Sequence, residues 1–205
     1  MDIKDRIIQE STPLFLKNGV RSMTMSDIAN ELGISKRTLY EVFRDKEELL
    51  EECFKWNFDQ GDKEIEGLIQ SSENVIDALM RMYAQHLRST QDFNRSLVHD
   101  LKKYYAPIYK KIEARKENAF KAFIPLMIKG VDSGFIRRDT NFEIVVWLVR
   151  AQFKSLIDEE YIPTDKYSVN EFISVIILNF IRGIATPLGN AEIEKMVEKI
   201  KQKQY

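Results

Sequence analysis

Apolar residues recur every three or four positions along nearly the whole chain, and no segment shows sustained alternation of apolar and polar residues. This spacing places apolar side chains on one face of an α-helix. The first such segment begins near Ile3 and ends at Asn18-Gly19, a pair typical of a helix C-terminus. The pattern therefore predicts an all-α fold.

Residues 24–58 carry three signals for the start of a helix. Thr24 stands three residues before Asp27, Ser35 directly precedes an amphipathic segment, and Asp45 begins a third. The short oxygen-bearing side chain of such a residue accepts a backbone N–H that lacks a partner within the helix. Three helices, two of them very short, are predicted in this part of the chain.

The rest of the chain predicts longer helices. Pro125 is expected to kink one of them because it removes a backbone hydrogen bond, and Pro187-Leu-Gly189 is expected to form a turn. Thr140 and Ser168 each stand three residues before a glutamate and are expected to cap helices. The total is about nine or ten helices, and the longer ones are predicted at residues 73–90, 93–105, 107–129, 140–159 and 168–184, with a last one around 193–200.

Composition narrows the class of protein. The chain has 205 residues, 31 basic and 32 acidic side chains and one cysteine, Cys53. A single cysteine excludes an internal disulfide and a multi-cysteine metal site, so we expect neither a metal nor another cofactor. The charged N-terminus is unlike a signal peptide, and the apolar stretch at 172–181 is too short to span a bilayer. We expect a cytoplasmic protein without a membrane partner.

Residues 24–43 have the pattern of two short helices joined by a tight turn. Gly33 permits a sharp turn, and Ile34 fills the angle between the helices. The second helix would expose Lys36, Arg37, Thr38 and Tyr40, whose side chains suit DNA bases and phosphates. Residues 17–46 hold six basic and four acidic side chains, whereas the whole chain has a net charge of −1. The segment predicts a helix-turn-helix that binds DNA.

The pattern extends over Thr24-x-x-x-Ile28-Ala29-x-x-x-Gly33-Ile34-Ser35-x-x-x-Leu39-Tyr40-x-x-Phe43-x-x-Lys46. It resembles the tetracycline-repressor (TetR) family of bacterial transcription regulators. The resemblance implies a helix-turn-helix DNA-binding domain at 1–47 and a helical effector-binding and dimerisation domain at 48–205. The DNA contacts that it implies are Thr24, Ser26, Ser35, Lys36, Arg37, Thr38, Tyr40 and Lys46.

The resemblance also implies a function. A member of this family is expected to be a homodimer that represses transcription from a palindromic double-stranded operator and is released by a small-molecule effector. The alternatives are a helical-bundle enzyme or ligand carrier with a degenerate helix-turn-helix, and a regulator that acts through a protein partner. The sequence has no recognisable catalytic motif, and its two histidines, His86 and His99, lack metal-site spacing. We therefore expect no enzyme.

The predicted helices at 142–159 and 169–184 are apolar almost all round, so each must be buried on more than one side. In the family that the sequence resembles, the last two large helices of each protomer form a four-helix bundle with those of the two-fold mate. The two apolar helices of this chain could instead form the core of its own domain. The predicted dimer residues are Val145, Val149, Ile176 and Phe180.

A small-molecule pocket is expected among the helices behind the DNA-binding domain. Arg150 interrupts an apolar helix, and a buried guanidinium needs either a carboxylate partner or an anionic ligand. Aromatic residues and methionine suit a pocket wall, but they suit an ordinary core equally well. The candidate pocket residues are Tyr83, His86, Tyr104, Phe123, Met127, Trp147 and Arg150.

Overall fold

A computed structural model of the chain describes residues 2–89, 95–156 and 166–202. These residues form eleven α-helices, and the only strand-like pairing among them is an isolated bridge between Ile136 and Ala185. The all-α prediction is confirmed. The helices are α1 (Ile3–Asn18), α2 (Met25–Glu31), α3 (Lys36–Val42), α4 (Lys46–Gln70), α5 (Val75–Ser89), α6 (Arg95–Tyr104), α7 (Ala106–Ala122), α8 (Ile124–Asp132), α9 (Phe142–Ser155), α10 (Val169–Ile184) and α11 (Pro187–Gln202).

The chain divides into two compact units. The first comprises Met1–Glu64 and Asp92–Arg115, and the second comprises Ile65–Gln91 and Lys116–Tyr205. Helix α6 and part of α7 thus belong to the same unit as the helix-turn-helix. The functional boundary between residues 47 and 48 stays a prediction, because compactness does not assign function.

The first unit is built on one apolar core. Phe15 of α1, Ile28 of α2, Leu39 of α3 and Leu50 of α4 are fully buried in it. Leu101 of α6 packs into the same core. Burial of these side chains fixes the angle between the short helices, which are too short to be stable alone.

The second unit has its own core, in which Ile76, Met80, Met127 and Ile181 are almost fully buried. The turn after α8 is joined to the α10–α11 junction by backbone hydrogen bonds. The N–H of Arg137 donates to the carbonyl of Ile184 at 2.9 Å, and that of Thr186 donates to Phe135 at 3.0 Å. This pairing fixes where α11 begins.

Some predicted helix boundaries were wrong. The helix predicted at 107–129 is two helices, because the chain breaks at Phe123 and Pro125 occupies the first turn of α8. Proline fits a first turn, where its missing N–H has no helical partner to lose. The same reason applies to Pro187, which begins α11 and so does not form the predicted turn with Gly189.

Two further predictions concern α9. Its N-cap is Asn141, whose side-chain oxygen accepts the N–H of Ile144 at 3.2 Å, so the expected cap at Thr140 was wrong. The helix ends at Ser155, and the predicted continuation to 159 lies outside the described residues.

The capping box predicted at Ser168 and Glu171 is confirmed at the start of α10. None of the described helices has the length and apolarity needed to cross a bilayer.

Candidate nucleic-acid interface

The start of α2 is fixed by a reciprocal pair of hydrogen bonds. The Thr24 hydroxyl accepts the backbone N–H of Asp27 at 3.2 Å, and the Asp27 carboxylate accepts the backbone N–H of Thr24 at 2.9 Å. The same hydroxyl donates to the carboxylate at 2.7 Å. These bonds hold the pKa of Asp27 below its usual range, chiefly through the Thr24 side chain. The exposed Thr24 hydroxyl is thus held at the positive end of α2.

A four-residue connection, residues 32–35, turns the chain from α2 into α3. Gly33 adopts φ +65°, a conformation that costs glycine little because it has no Cβ. The N–H of Ile34 donates to Ala29 at 3.0 Å. Ser35 then caps α3 by accepting the N–H of Thr38 at 3.0 Å, and the two hydroxyls lie 2.8 Å apart. The predicted helix-turn-helix is present, and its turn is held by local bonds.

Helix α3 has one buried and one exposed side. Leu39 is completely buried, whereas Lys36 and Arg37 are exposed and Tyr40 is 45% exposed. The Lys36 ammonium lies 5.8 Å from the centre of the Tyr40 ring, and Arg37 pairs with Glu41 at 2.9 Å. The exposed side of α3 therefore carries hydrogen-bond donors and the Tyr40 ring. Within the described residues the Lys36 ammonium has no carboxylate partner. These groups suit binding in a DNA groove.

The two remaining predicted contacts lie at helix starts. Ser26 is half-buried in the first turn of α2. Lys46 opens α4 but is half-buried too, and its ammonium donates to the carbonyl of Val20 and lies 5.9 Å from the Tyr105 ring. Burial lowers the pKa of Lys46, while the carboxylates of Asp100 and Asp27 oppose that shift. A phosphate contact by Lys46 stays a prediction, because here its charge is directed into the unit.

One predicted pocket residue, His86, lies among aromatic side chains of the second unit. The His86 and Phe153 rings meet edge to face with their centres 6.0 Å apart, and Phe120 lies 6.2 Å from Phe153. Burial lowers the pKa of His86. Sequence reasoning placed Phe120 in no site, since its helical spacing fits any core position.

The question left open for Arg150 has a structural answer. Its guanidinium lies 3.1 Å from the carboxylate of Glu117. The pKa of Glu117 is lowered, first by Lys121 and then by Arg150. A carboxylate partner is therefore present, and the guanidinium does not by itself require an anionic ligand.

The other predicted pocket residues are dispersed. Tyr83 and Met127 are buried in the core of the second unit, and Phe123 is half-buried at the start of α8. Tyr104 belongs to the first unit and is 44% exposed, while Trp147 is 64% exposed on α9. The grouping of these residues into one pocket stays a prediction.

An open groove of about 410 Å³ runs between α9 and α10. All four predicted dimer residues line it: Val145, Val149, Ile176 and Phe180. Large apolar side chains are exposed on the same two helices, namely Ile144, Trp147, Leu148 and Val175. The sequence marked these helices as apolar all round but could not say which of their faces the protomer itself covers.

Among the described residues, no three His, Cys, Asp or Glu side chains cluster in a way that could hold a metal ion.

Comparison with known proteins agrees with this geometry. Residues 7–53 match the family described as bacterial regulatory proteins, tetR family. The biofilm operon icaADBC HTH-type negative transcriptional regulator IcaR of Staphylococcus aureus is 30% identical over 78% of this chain and 95% of its own length. The HTH-type transcriptional regulator YvaF of Bacillus subtilis is 27% identical over 87% of this chain and 94% of its own length.

The fold is also found among solved structures. A transcriptional regulator from Saccharomonospora viridis, solved in complex with choline, superposes with a TM-score of 0.72 at 17% identity, over 89% of this chain and 97% of that one. The capped helix-turn-helix, the match over residues 7–53 and the relative that aligns along 95% of its length lead to one conclusion. The chain belongs to the tetR family of bacterial regulatory proteins and is a DNA-binding transcriptional regulator.

Proposed function

We propose that this protein is a homodimeric repressor that reads a palindromic DNA operator with α3 and leaves it when a small molecule binds. The observation that carries the proposal is the α2–α3 pair. Its turn is fixed by Gly33 and Ser35, while Lys36 and Tyr40 face solvent above a fully buried Leu39. Rigid presentation of exposed donors on a short helix is what major-groove readout requires.

The residues of α3 divide into two roles in this proposal. Lys36 and Thr38 lie at its N-terminal end, the end of a recognition helix that contacts base edges. Arg37 is bonded to Glu41 and adds a second cation that must exchange partners to reach DNA. Tyr40, with Thr24, Ser26 and Ser35, supplies hydroxyl groups for backbone phosphates, which fix the position of the helix on DNA.

The partner that covers the α9–α10 groove is a second copy of this chain. Ile144 and Leu148 line the groove and are exposed, and Val175 is exposed on α10 next to the lining residue Ile176. Burial of these side chains against the same residues of a two-fold mate removes apolar surface from water. Trp147, predicted for the pocket, suits this face better because of its exposure. A dimer places two α3 helices in successive major grooves, about 34 Å apart in B-form DNA.

The effector site that we propose lies in the second unit, where α5, α7 and α9 contribute His86, Phe120 and Phe153. Aromatic walls with one charged pair, Arg150–Glu117, suit a small partly apolar molecule. The Saccharomonospora viridis regulator was solved with choline, a small molecule, on the same fold. Release from DNA requires only that the effector prefer the conformation that does not fit the operator.

Selection of bound sequences from a random duplex library tests the proposed function. The expected outcome is a palindromic motif with two half-sites about one helical turn apart. Lys36→Ala and Thr38→Ala should each weaken binding to that motif by roughly 1–3 kcal/mol and relax the base preference within the half-site. Lys36 is exposed, so its removal should change the thermal midpoint little. Thr38 is half-buried with its hydroxyl 2.8 Å from that of Ser35, so Thr38→Ala is expected to lower the midpoint slightly.

Lys110→Ala is the matched control, because Lys110 is an exposed lysine on α7 and its removal changes the net charge equally. It should leave the selected motif intact. Recovery of no motif, or equal affinity for the motif and for scrambled duplex, would contradict sequence-specific repression.

A further inference from the structure

A second cationic surface lies in the same unit as the helix-turn-helix. We call it the α6 basic patch, formed by Arg21 in the α1–α2 connection and by Lys103 and Tyr104 at the end of α6. The Arg21 guanidinium lies 5.1 Å from the centre of the Tyr104 ring, and the Lys103 ammonium lies 5.3 Å from it. All three side chains are exposed. Two cations thus share one exposed aromatic ring.

The charges of this patch are not neutralised within the described part of the chain. No carboxylate there lies within ion-pair distance of the Arg21 guanidinium or the Lys103 ammonium, whereas Arg44 and Lys111 of the same unit pair with Asp45 and Glu51. The nearby Asp100 accepts the backbone N–H of Arg21 at 3.2 Å. Two cations held on one ring repel each other, and an external anion between them would relieve that repulsion.

The position of the patch indicates which anion this is. Arg21 stands three residues before Thr24, the N-cap of α2. Lys46, the first residue of α4, donates to the carbonyl of Val20 and lies beside Tyr105, the neighbour of Tyr104 in sequence. Arg21 and Tyr104 are thus neighbours, in sequence or by contact, of residues that flank the helix-turn-helix, whose proposed ligand, DNA, carries a phosphate at every nucleotide.

We infer that the α6 basic patch binds a DNA backbone phosphate that flanks the bases read by α3. The inference rests on the proposed function, since it assumes that α3 enters the groove of a duplex. Arg21 and Lys103 would hold the phosphate between them, and the Tyr104 ring would keep both cations in place. The interaction adds affinity and fixes orientation without reading sequence. The helix-turn-helix pattern gives no sign of it, because α6 lies far along the chain.

Salt titration of the full-length protein on a mixed-sequence duplex tests the inference. The slope of log affinity against log salt should become shallower by about 0.9 for each phosphate that a variant no longer neutralises. Lys103→Ala and Arg21→Ala should each lower that slope, and they should weaken binding to a selected operator and to mixed-sequence DNA by the same factor. Lys103→Arg should restore the slope because it restores the charge.

Lys129→Ala is the matched control, since Lys129 is an exposed lysine on α8 in the other unit. Its slope should equal that of the wild type, and thermal midpoints should agree among the variants. If Lys103→Ala has the slope of Lys129→Ala while Lys36→Ala still weakens operator binding, the inference is overturned and the proposed function stands. A wild type that binds no duplex in a salt-dependent manner would overturn both.

Discussion

Cys53 illustrates how burial sets the chemistry of a single side chain. It is 2% exposed on α4, its Sγ lies 3.7 Å from the carbonyl of Ile8, and burial raises its pKa to about 12. Because only the thiolate is nucleophilic, the folded protein should resist alkylation at mildly alkaline pH.

Iodoacetamide labelling followed by mass spectrometry measures this directly. Near pH 8 the native protein should react many times more slowly than the urea-unfolded chain, whose thiol has an ordinary pKa of about 8.5. Because the pKa of Cys53 is raised, the reactivity of the native thiol grows only as the pH approaches 12 or as the unit unfolds. Native labelling at the unfolded rate would show that the thiol is accessible and that its pKa is not raised.

At the scale of elements, Gly189 fixes how α11 meets the turn after α8. A Cβ added there would lie 2.3 Å from the carbonyl oxygen of Phe135, which already accepts the N–H of Thr186. Backbone held in this way cannot move aside as a flexible side chain could. Gly189→Ala should therefore lower the free energy of unfolding by roughly 1–3 kcal/mol, the usual cost of overpacking.

Gly67→Ala is the matched control for this prediction. Gly67 lies within α4, is exposed, and has no heavy atom within 4 Å of its added Cβ. Alanine there should raise stability by up to about 1 kcal/mol because it favours the helical backbone. Urea unfolding of both variants provides the comparison, and equal midpoints for the two would refute the clash at Gly189.

At the scale of the whole molecule, the proposed dimer depends on which side chains of α9 are exposed. Leu148 is 47% exposed, whereas Val149 is 8% exposed and is covered by its own protomer. Aspartate at Val149 would therefore destabilise the protomer itself. Leu148→Asp is the sharper test, because it buries a carboxylate only when two copies associate, close to its own two-fold mate.

Sedimentation velocity is expected to show a dimer for the wild type and a monomer for Leu148→Asp. Operator affinity should fall with dissociation, since one α3 reads one half-site and loses the tethering of the second. Leu188→Asp provides the same substitution at an exposed leucine of α11 and should remain dimeric. A wild type that sediments as a monomer at micromolar concentration would remove the dimer from the proposal.

The sequence by itself determined the features that depend on neighbours within about four residues. Asp27 caps α2 together with Thr24, Ser35 caps α3, and Gly33 makes the turn between them, as the pattern predicted. A capping bond or a positive φ is settled by residues adjacent in the chain, so its signal survives without tertiary information. Leu39, which belongs to the same pattern, is completely buried.

Only the tertiary structure decided how distant segments meet. Helical spacing gave Trp147 and Met127 the same apolar character, yet the first is exposed on α9 and the second is buried. Packing also turned Lys46 towards Val20 and gave Arg150 its partner Glu117. Such contacts depend on which helices lie side by side, and the period of one helix shows which face is apolar but not what covers it.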